Sequence, residues 1–326
     1  MTFVLRRAGQ AAIVLIAAFT ATFFLLQLLP GDAILIKFSD PSLGLSPEQL
    51  DSIRASYGGD LPWWEQYLHA GLGFLAGDFG FSTQFGTPVL TMLAEALPAT
   101  LLLASLGLVV ALLLAVLIAG LSSLAPFAWL RDGLRQVPGL FVAVPVFWLG
   151  ILLIQVFSFG LGWVPIVGAD PVSGLILPVL TLAVPISAPL AQVLVRAIDQ
   201  VQAQPFVTVV RATGAPPLWG LTRSVARNAA VPTLTIAGVL FGELVGGAVV
   251  TETVFGRTGI GRLTEQAVAN QDIPVLQGVV LLSALGFVII SFAVDLVTPI
   301  IDPRQRAVTR STGPRAARRT PQEVAA

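Results

Sequence analysis

Long apolar stretches recur along the chain, separated by segments where turn residues and charges concentrate. A helix needs about 20 mostly apolar residues to cross a hydrocarbon layer of ~30 Å. Ala8 to Leu29 contains no charge, and at 22 residues it exceeds a signal-peptide core, which predicts an uncleaved anchor. Ala96 to Leu121 is a second uncharged stretch. Val137 to about Leu161 is the third, with Pro138 and Pro145 near its start. Leu175 to Val195 is the fourth, and its Pro178, Pro185 and Pro189 predict bends. Pro232 to about Val250 is the fifth, with one acid, Glu243, and Val275 to Ile301 the sixth, with one acid, Asp295. The pattern predicts an all-α polytopic membrane protein of six spans, with both termini on one side.

Composition supports that reading. Of 326 residues, 55% are hydrophobic and 11% charged, against about 25% charged in soluble domains. Arginine placement sets the orientation. Arg6 and Arg7, Arg131 and Arg135, Arg196, Arg211, Arg223 and Arg227, and six arginines from Arg304 to Arg319 fall on one side. Only Lys37, Arg54, Arg257 and Arg262 fall on the other, so the positive-inside rule predicts N-in, C-in. The outer segment from Gly31 to Glu95 is rich in acids, and its turn signals and short amphipathic runs predict small helices on the membrane face. Three parts follow: 1–95, anchor plus extracytoplasmic segment; 96–306, a five-helix core with a cytoplasmic loop at 196–231; and 307–326, a disordered cytoplasmic tail. Net charge is zero, which excludes a broadly basic nucleic-acid binder. With no Cys, two Met and His69 as the one histidine, the chain has no thiol chemistry and no soft-metal site, and His69 reads as a solvated surface residue.

The connection between the fourth and fifth spans is the elaborate one. Pro205 suits a first helical position, Phe206–Thr213 can form two turns, Gly214 is a left-handed stop, and Pro216-Pro217 forbid continuation. A second helix, Leu218 to Ala230, is predicted to end where Pro232 opens the fifth span. Leu218, Leu221 and Val225 fall on one face, Arg223 and Arg227 on another. The expected result is a helix–turn–helix along the inner surface, apolar toward the bilayer and cationic toward the cytoplasm. Two readings stand: an interfacial helix held by lipid headgroups, or a docking surface for a cytoplasmic partner.

Specific residues carry a resemblance here. Arg211-Ala212-Thr213-Gly214 followed by Arg227-Asn228-Ala229-Ala230-Val231-Pro232 resembles the cytoplasmic "EAA"-type loop of ABC importer permeases, in the form of the dipeptide, oligopeptide and nickel branch. Leu28-Leu29-Pro30-Gly31-Asp32, Gly77-Asp78-Phe79-Gly80, Leu97-Pro98-Ala99-Thr100-Leu101, Pro145-Val146-Phe147-Trp148-Leu149-Gly150, Glu252-Thr253-Val254-Phe255, Gly259-Ile260-Gly261 and Asp302-Pro303-Arg304 are similar to the rest of that pattern, from about residue 3 to 306. Departures are Pro205-Phe206 where Asp-Tyr is frequent, Thr213 where Lys or Arg is usual, and the rigid Pro216-Pro217 turn.

The resemblance implies a type I ABC importer permease fold in a bacterial inner membrane, carrying peptides delivered by an extracytoplasmic solute-binding protein. It implies a second homologous permease chain and two ATPase subunits, or one fused, which hold ATP and Mg. This chain would bind no cofactor. Its one lysine, Lys37, has no glycine run, and Gly256–Gly261 lacks the Lys that a phosphate-binding loop requires. Phe206, Arg211, Ala212, Thr213, Gly214, Arg223, Arg227, Asn228 and Pro232 would form the ATPase-coupling loop.

Intramembrane acids are functional candidates by default. Glu243 faces the cavity and attracts a peptide amino terminus, or is a buried acid bonded to a neighbouring span. Glu252 gates the outer mouth or is solvated at the interface. Asp295 pairs with an arginine at the cytoplasmic end, or lines the path. An intramembrane hydrolase lacks a His or second Asp within the spans, and a stand-alone carrier leaves the 196–231 loop unexplained. The residues do not separate peptide, glutathione and nickel complex as solute.

Overall fold

The computed structural model describes residues 2–27, 46, 48–49, 52, 61–166, 168 and 170–301, with the side chains of 2–6 and 294–301 excepted. The expected tail at 307–326 and most of the segment 28–60 lie outside the described residues. Ten helices are described: α1 (Thr2–Gln27), α2 (Trp63–Ala76), α3 (Val89–Leu124), α4 (Ala128–Ala143), α5 (Val146–Leu153, prolonged by a π-helical stretch Ile154–Gly160), α6 (Ser173–Gln202), α7 (Pro205–Ala212), α8 (Pro217–Val254), α9 (Ile260–Ala269) and α10 (Ile273–Ile301). Five of them, α1, α3, α6, α8 and α10, are long and apolar enough to cross a membrane, and α4 with α5 makes a sixth span if that bent pair counts as one.

α3, α6 and α8 form the centre. With no hydrophobic drive between helices in lipid, close approach of small side chains supplies the packing. α3 contributes a buried stripe of Ala104, Gly107, Ala111, Ala115 and Ala119, one turn apart each time. Against it lie Ala183, Ser187, Ala188 and Ala191 of α6 and Ala229, Ala237, Leu244 and Ala248 of α8. A Cβ on Gly107 would stand 3.4 Å from Leu182 Cβ, so the α3–α6 contact is already at van der Waals distance. α1 lies along α10. Its Phe19, Phe23 and Phe24 meet Tyr67 of α2 in tilted, edge-on and stacked ring contacts respectively, and Thr20 Oγ1 lies 2.8 Å from the Tyr67 hydroxyl. Trp63 and Trp64 open α2, and both are exposed.

Two proline positions depart from the expected spans. The stretch expected as the third span is bent, with α4 and α5 meeting at 100°. Pro145 has no N–H to donate and pushes the residue before it out of the helical region, so both Val144 (φ −87°, ψ 120°) and Pro145 (φ −62°, ψ 134°) are extended. Pro232, by contrast, opens nothing: α8 runs without interruption from Pro217 through it to Val254. Membrane helices tolerate an internal proline where nearby hydroxyls and neighbouring helices satisfy the freed groups. Pro232 takes the helical donor from the Asn228 carbonyl, and the Thr233 and Thr235 hydroxyls add bonds to the nearby Ala229 and Val231 carbonyls, at 3.3 and 3.1 Å.

Candidate functional site

The arginine-rich end of the bundle presents α7 and the first turns of α8. Gln204 is extended, Pro205 takes the first helical position, and Gly214 at φ 79° turns the chain back where a side chain would be strained. Val207, 4% exposed, packs with Leu221, Val225 and Ala229 of α8, with Leu194, Ala197 and Ile198 of α6, and with Ala119 of α3. The apolar face expected to meet the bilayer therefore meets protein. Leu218, expected on that face, is 59% exposed. The reason is local: Gly220–Val225 is wound as a π-helix, whose wider turn moves Leu218 off the stripe that Leu221 and Val225 share.

What this segment exposes is a second, outward set. Phe206, Val209, Leu218 and Trp219 are exposed apolar side chains. Arg211, Ala212, Thr213, Gly214, Arg223, Arg227, Asn228 and Pro232 are exposed as well. Thr213 turns its hydroxyl back to the Val210 carbonyl at 2.7 Å. Exposed aromatic and aliphatic side chains together with guanidinium groups, on a segment with a firmly packed base, have the character of a protein-binding face. Beneath it, Arg135 of α4 and Asp199 of α6 form an ion pair at 2.8 Å.

At the opposite end Glu252 closes α8 and is only 1% exposed, which removes interfacial solvation as its role. Its carboxylate accepts hydrogen bonds from Thr100 Oγ1 of α3 (2.7 Å) and from the backbone N–H groups of Gly261 (2.8 Å) and Arg262 (3.2 Å) in the first turn of α9. Thr100 Oγ1 in turn accepts the Ile260 N–H at 2.8 Å. One acid thus caps a helix it does not belong to, at the end where the helix dipole favours negative charge. The two glycines follow from this. A Cβ on Gly259 would fall 2.3 Å from the Glu252 carboxyl, and one on Gly261 2.3 Å from Val249 Cα.

A second fastening was not anticipated from the sequence. Asp272, buried between α9 and α10, accepts from Ser82 Oγ (2.5 Å) and from the N–H groups of Thr83 and Gln84 (both 3.2 Å), holding the turn before α3. Ser82 and Asp272 are 190 residues apart, and no local pattern links them. Beyond the end of α8, a cavity of about 440 Å³ is lined by Pro165, Asp170, Ser173, Phe255, Arg257 and Thr258. Arg257 donates to the Gly174 carbonyl at 3.0 Å. Asp170 accepts from Ser173 and Val172, and these bonds, the Ser173 hydroxyl first, hold its carboxyl below the usual carboxylate range.

Glu243 lies on α8 between these two ends. It is exposed, and its carboxylate has neither hydrogen bond nor ion pair with any described residue. The buried-acid reading is therefore not what is found. His69 is exposed, as expected. Asp295 lies on α10, but its side chain, like Asp302-Pro303-Arg304, lies outside the described residues.

Comparison with known proteins bears on the same residues. The family model described as "Binding-protein-dependent transport system inner membrane component" matches residues 107–307. A second, "Binding-prot-dependent transport system membrane comp, N-term", matches residues 1–104. A protein of Brucella abortus (strain 2308) named as a peptide transport system permease is 34% identical over 311 residues, 93% of this chain and 98% of its own length. The glutathione transport system permease protein GsiC of Escherichia coli (strain K12) is 32% identical over 284 residues, 87% of this chain and 92% of its own. A solved structure of an amino acid ABC transporter with histidines aligns at a TM-score of 0.48 and 17% identity, covering 66% of this chain and 94% of that one.

Proposed function

The chain belongs to the binding-protein-dependent transport system inner membrane components, and from that premise we propose that it is the permease through which an ATP-driven importer passes peptides. As a member of that family it is a multi-pass transport subunit of the cytoplasmic membrane, not the ATPase, and it works with an ATPase and a solute-binding protein. A second permease chain beside it, two ATPase sites below, and the N-in, C-in orientation complete the reading. Peptide as solute is supported by the relatives named for peptide and glutathione transport.

The exposed patch of Phe206, Val209, Leu218 and Trp219, with Arg211, Arg223 and Arg227 around it, carries the coupling assignment. In this reading the patch seats in a groove of the ATPase. Closure of the ATPase pair shifts α7, and the shift passes through Val207 into α6 and α8, because those side chains share one cluster. Coupling of this kind requires contacts that differ between the two states of the ATPase. At the far end, Glu252 and α9 form the outer gate.

The test is affinity purification from native membrane in mild detergent, with co-purifying chains identified by mass. The wild-type chain is expected to bring a second six-span protein, an ATPase and a binding protein. A Phe206→Ala/Trp219→Ala variant should lose the ATPase and keep the second permease. A wild-type chain that purifies without any ATPase overturns the importer reading. Equal ATPase recovery with both chains overturns only the assignment of the docking face.

A further inference from the structure

The exposed stripes of two central helices differ in kind. α3 turns outward Val109, Leu113, Val116, Leu117 and Leu121, all aliphatic, as a surface against lipid tails should be. α8 turns outward Val239, Glu243, Gly246, Gly247 and Val250, spaced three to four residues apart on one face. A Cβ placed on Gly246 or Gly247 meets nothing within 4 Å, so the space beside Glu243 is open. The neighbouring face is not: a Cβ on Gly242 would stand 3.3 Å from the Phe287 ring of α10, and Leu244 is buried.

Depth decides what the stripe can face. Glu243 precedes Glu252 by nine residues, which is about 14 Å of helix, near the middle of a ~30 Å hydrocarbon layer. A charged side chain at that depth is costly against lipid, and acids in such positions face water, a cavity or a cation. No described residue supplies the cation.

We infer that the Val239–Glu243–Gly247 stripe lines the water-filled solute path and that Glu243 receives a protonated amine of the passing solute there. The inference rests on the permease reading, whose peptides carry an ammonium group at the amino terminus. The glycines leave width for a main chain, and the carboxylate matches that group in charge at the point where it is stripped of bulk water. A stripe turned toward the second permease would pack instead, and that is the competing outcome.

The chain contains no cysteine, so single cysteines report directly. Val239→Cys and Gly247→Cys, with Leu113→Cys as control, are to be made in the complete importer in native membrane vesicles. Each is then treated with cationic and with anionic membrane-impermeant methanethiosulfonates of equal size, and labelling is read by mass on this chain. Val239→Cys and Gly247→Cys should react while Leu113→Cys does not. The cationic reagent should be favoured about tenfold more with Glu243 present than in a Glu243→Gln background, since Val239 is one turn away. An unreactive stripe, or a cation preference unchanged by Glu243→Gln, overturns the inference. Loss of the ATPase from the purified wild-type complex would overturn the permease reading independently.

Discussion

Glu252 answers three donors at once, and each buried donor left without an acceptor costs about 1–3 kcal/mol. Glu252→Ala should therefore lower the melting temperature of the detergent-solubilised complex well below that of Glu252→Gln, which keeps one acceptor oxygen. Gly259→Ala should approach the Ala variant, because its methyl group would occupy the carboxylate's place. Identical melting of all four proteins would show that the cap contributes nothing. Asp170 gives a pH signature of opposite exposure. Its folded pKa is lowered from 3.8, so the stabilisation of the α6 start is present above 3.8 and is lost as pH falls through the lowered value. Amide exchange at Val172 and Ser173 should accelerate in that window beyond its intrinsic rate, and in Asp170→Asn should be fast throughout, with no such pH step. Exchange insensitive to both changes would remove Asp170 as a cap.

Gly214 governs one element, α7. An alanine there would have to adopt φ 79°, at a cost of about 1–2 kcal/mol. Gly214→Ala should raise amide exchange across 206–213 about tenfold by that cost, and leave α3 and α6 unchanged. Uniform exchange would mean that the turn bears no strain. This turn was legible in the sequence because Pro205, Gly214 and Pro216-Pro217 act on their immediate neighbours. The helices on either side were less so. Pro145 stands at a 100° bend and Pro232 inside a continuing helix, although both lie in apolar runs, and the sequence around them does not tell the two apart. Leu218 left its expected face because a π-helical stretch changes the phase of everything before it. Glu252 could be picked out as an acid near a span end, but its partners Thr100 and Gly261 meet it only through the tertiary fold. Asp272 and Ser82 carried no local sign at all.

The whole bundle depends on how closely three helices approach. Ala111 is fully buried where α3, α6 and α8 meet, and added volume there must be accommodated by backbone shifts costing about 1–3 kcal/mol. Ala111→Leu should lower the melting temperature of the complex, whereas Leu113→Ala, two residues away on the exposed stripe, should leave it nearly unchanged. The reverse ranking would place lipid on the wrong side of α3. α8 belongs to this core and also passes beyond it at both ends. As one uninterrupted helix of 38 residues it is a rod about 57 Å long. Its first turns share a cluster with Val207, and its last residues hold Glu252 beneath α9. For a rod of that length, a tilt of about 5° displaces one end by about 5 Å relative to the other, roughly one helical turn. Leverage of this kind would carry a small rotation at the arginine-rich end to the Glu252 end enlarged, provided that the π-helical stretch Gly220–Val225 and Pro232 stay rigid between the two.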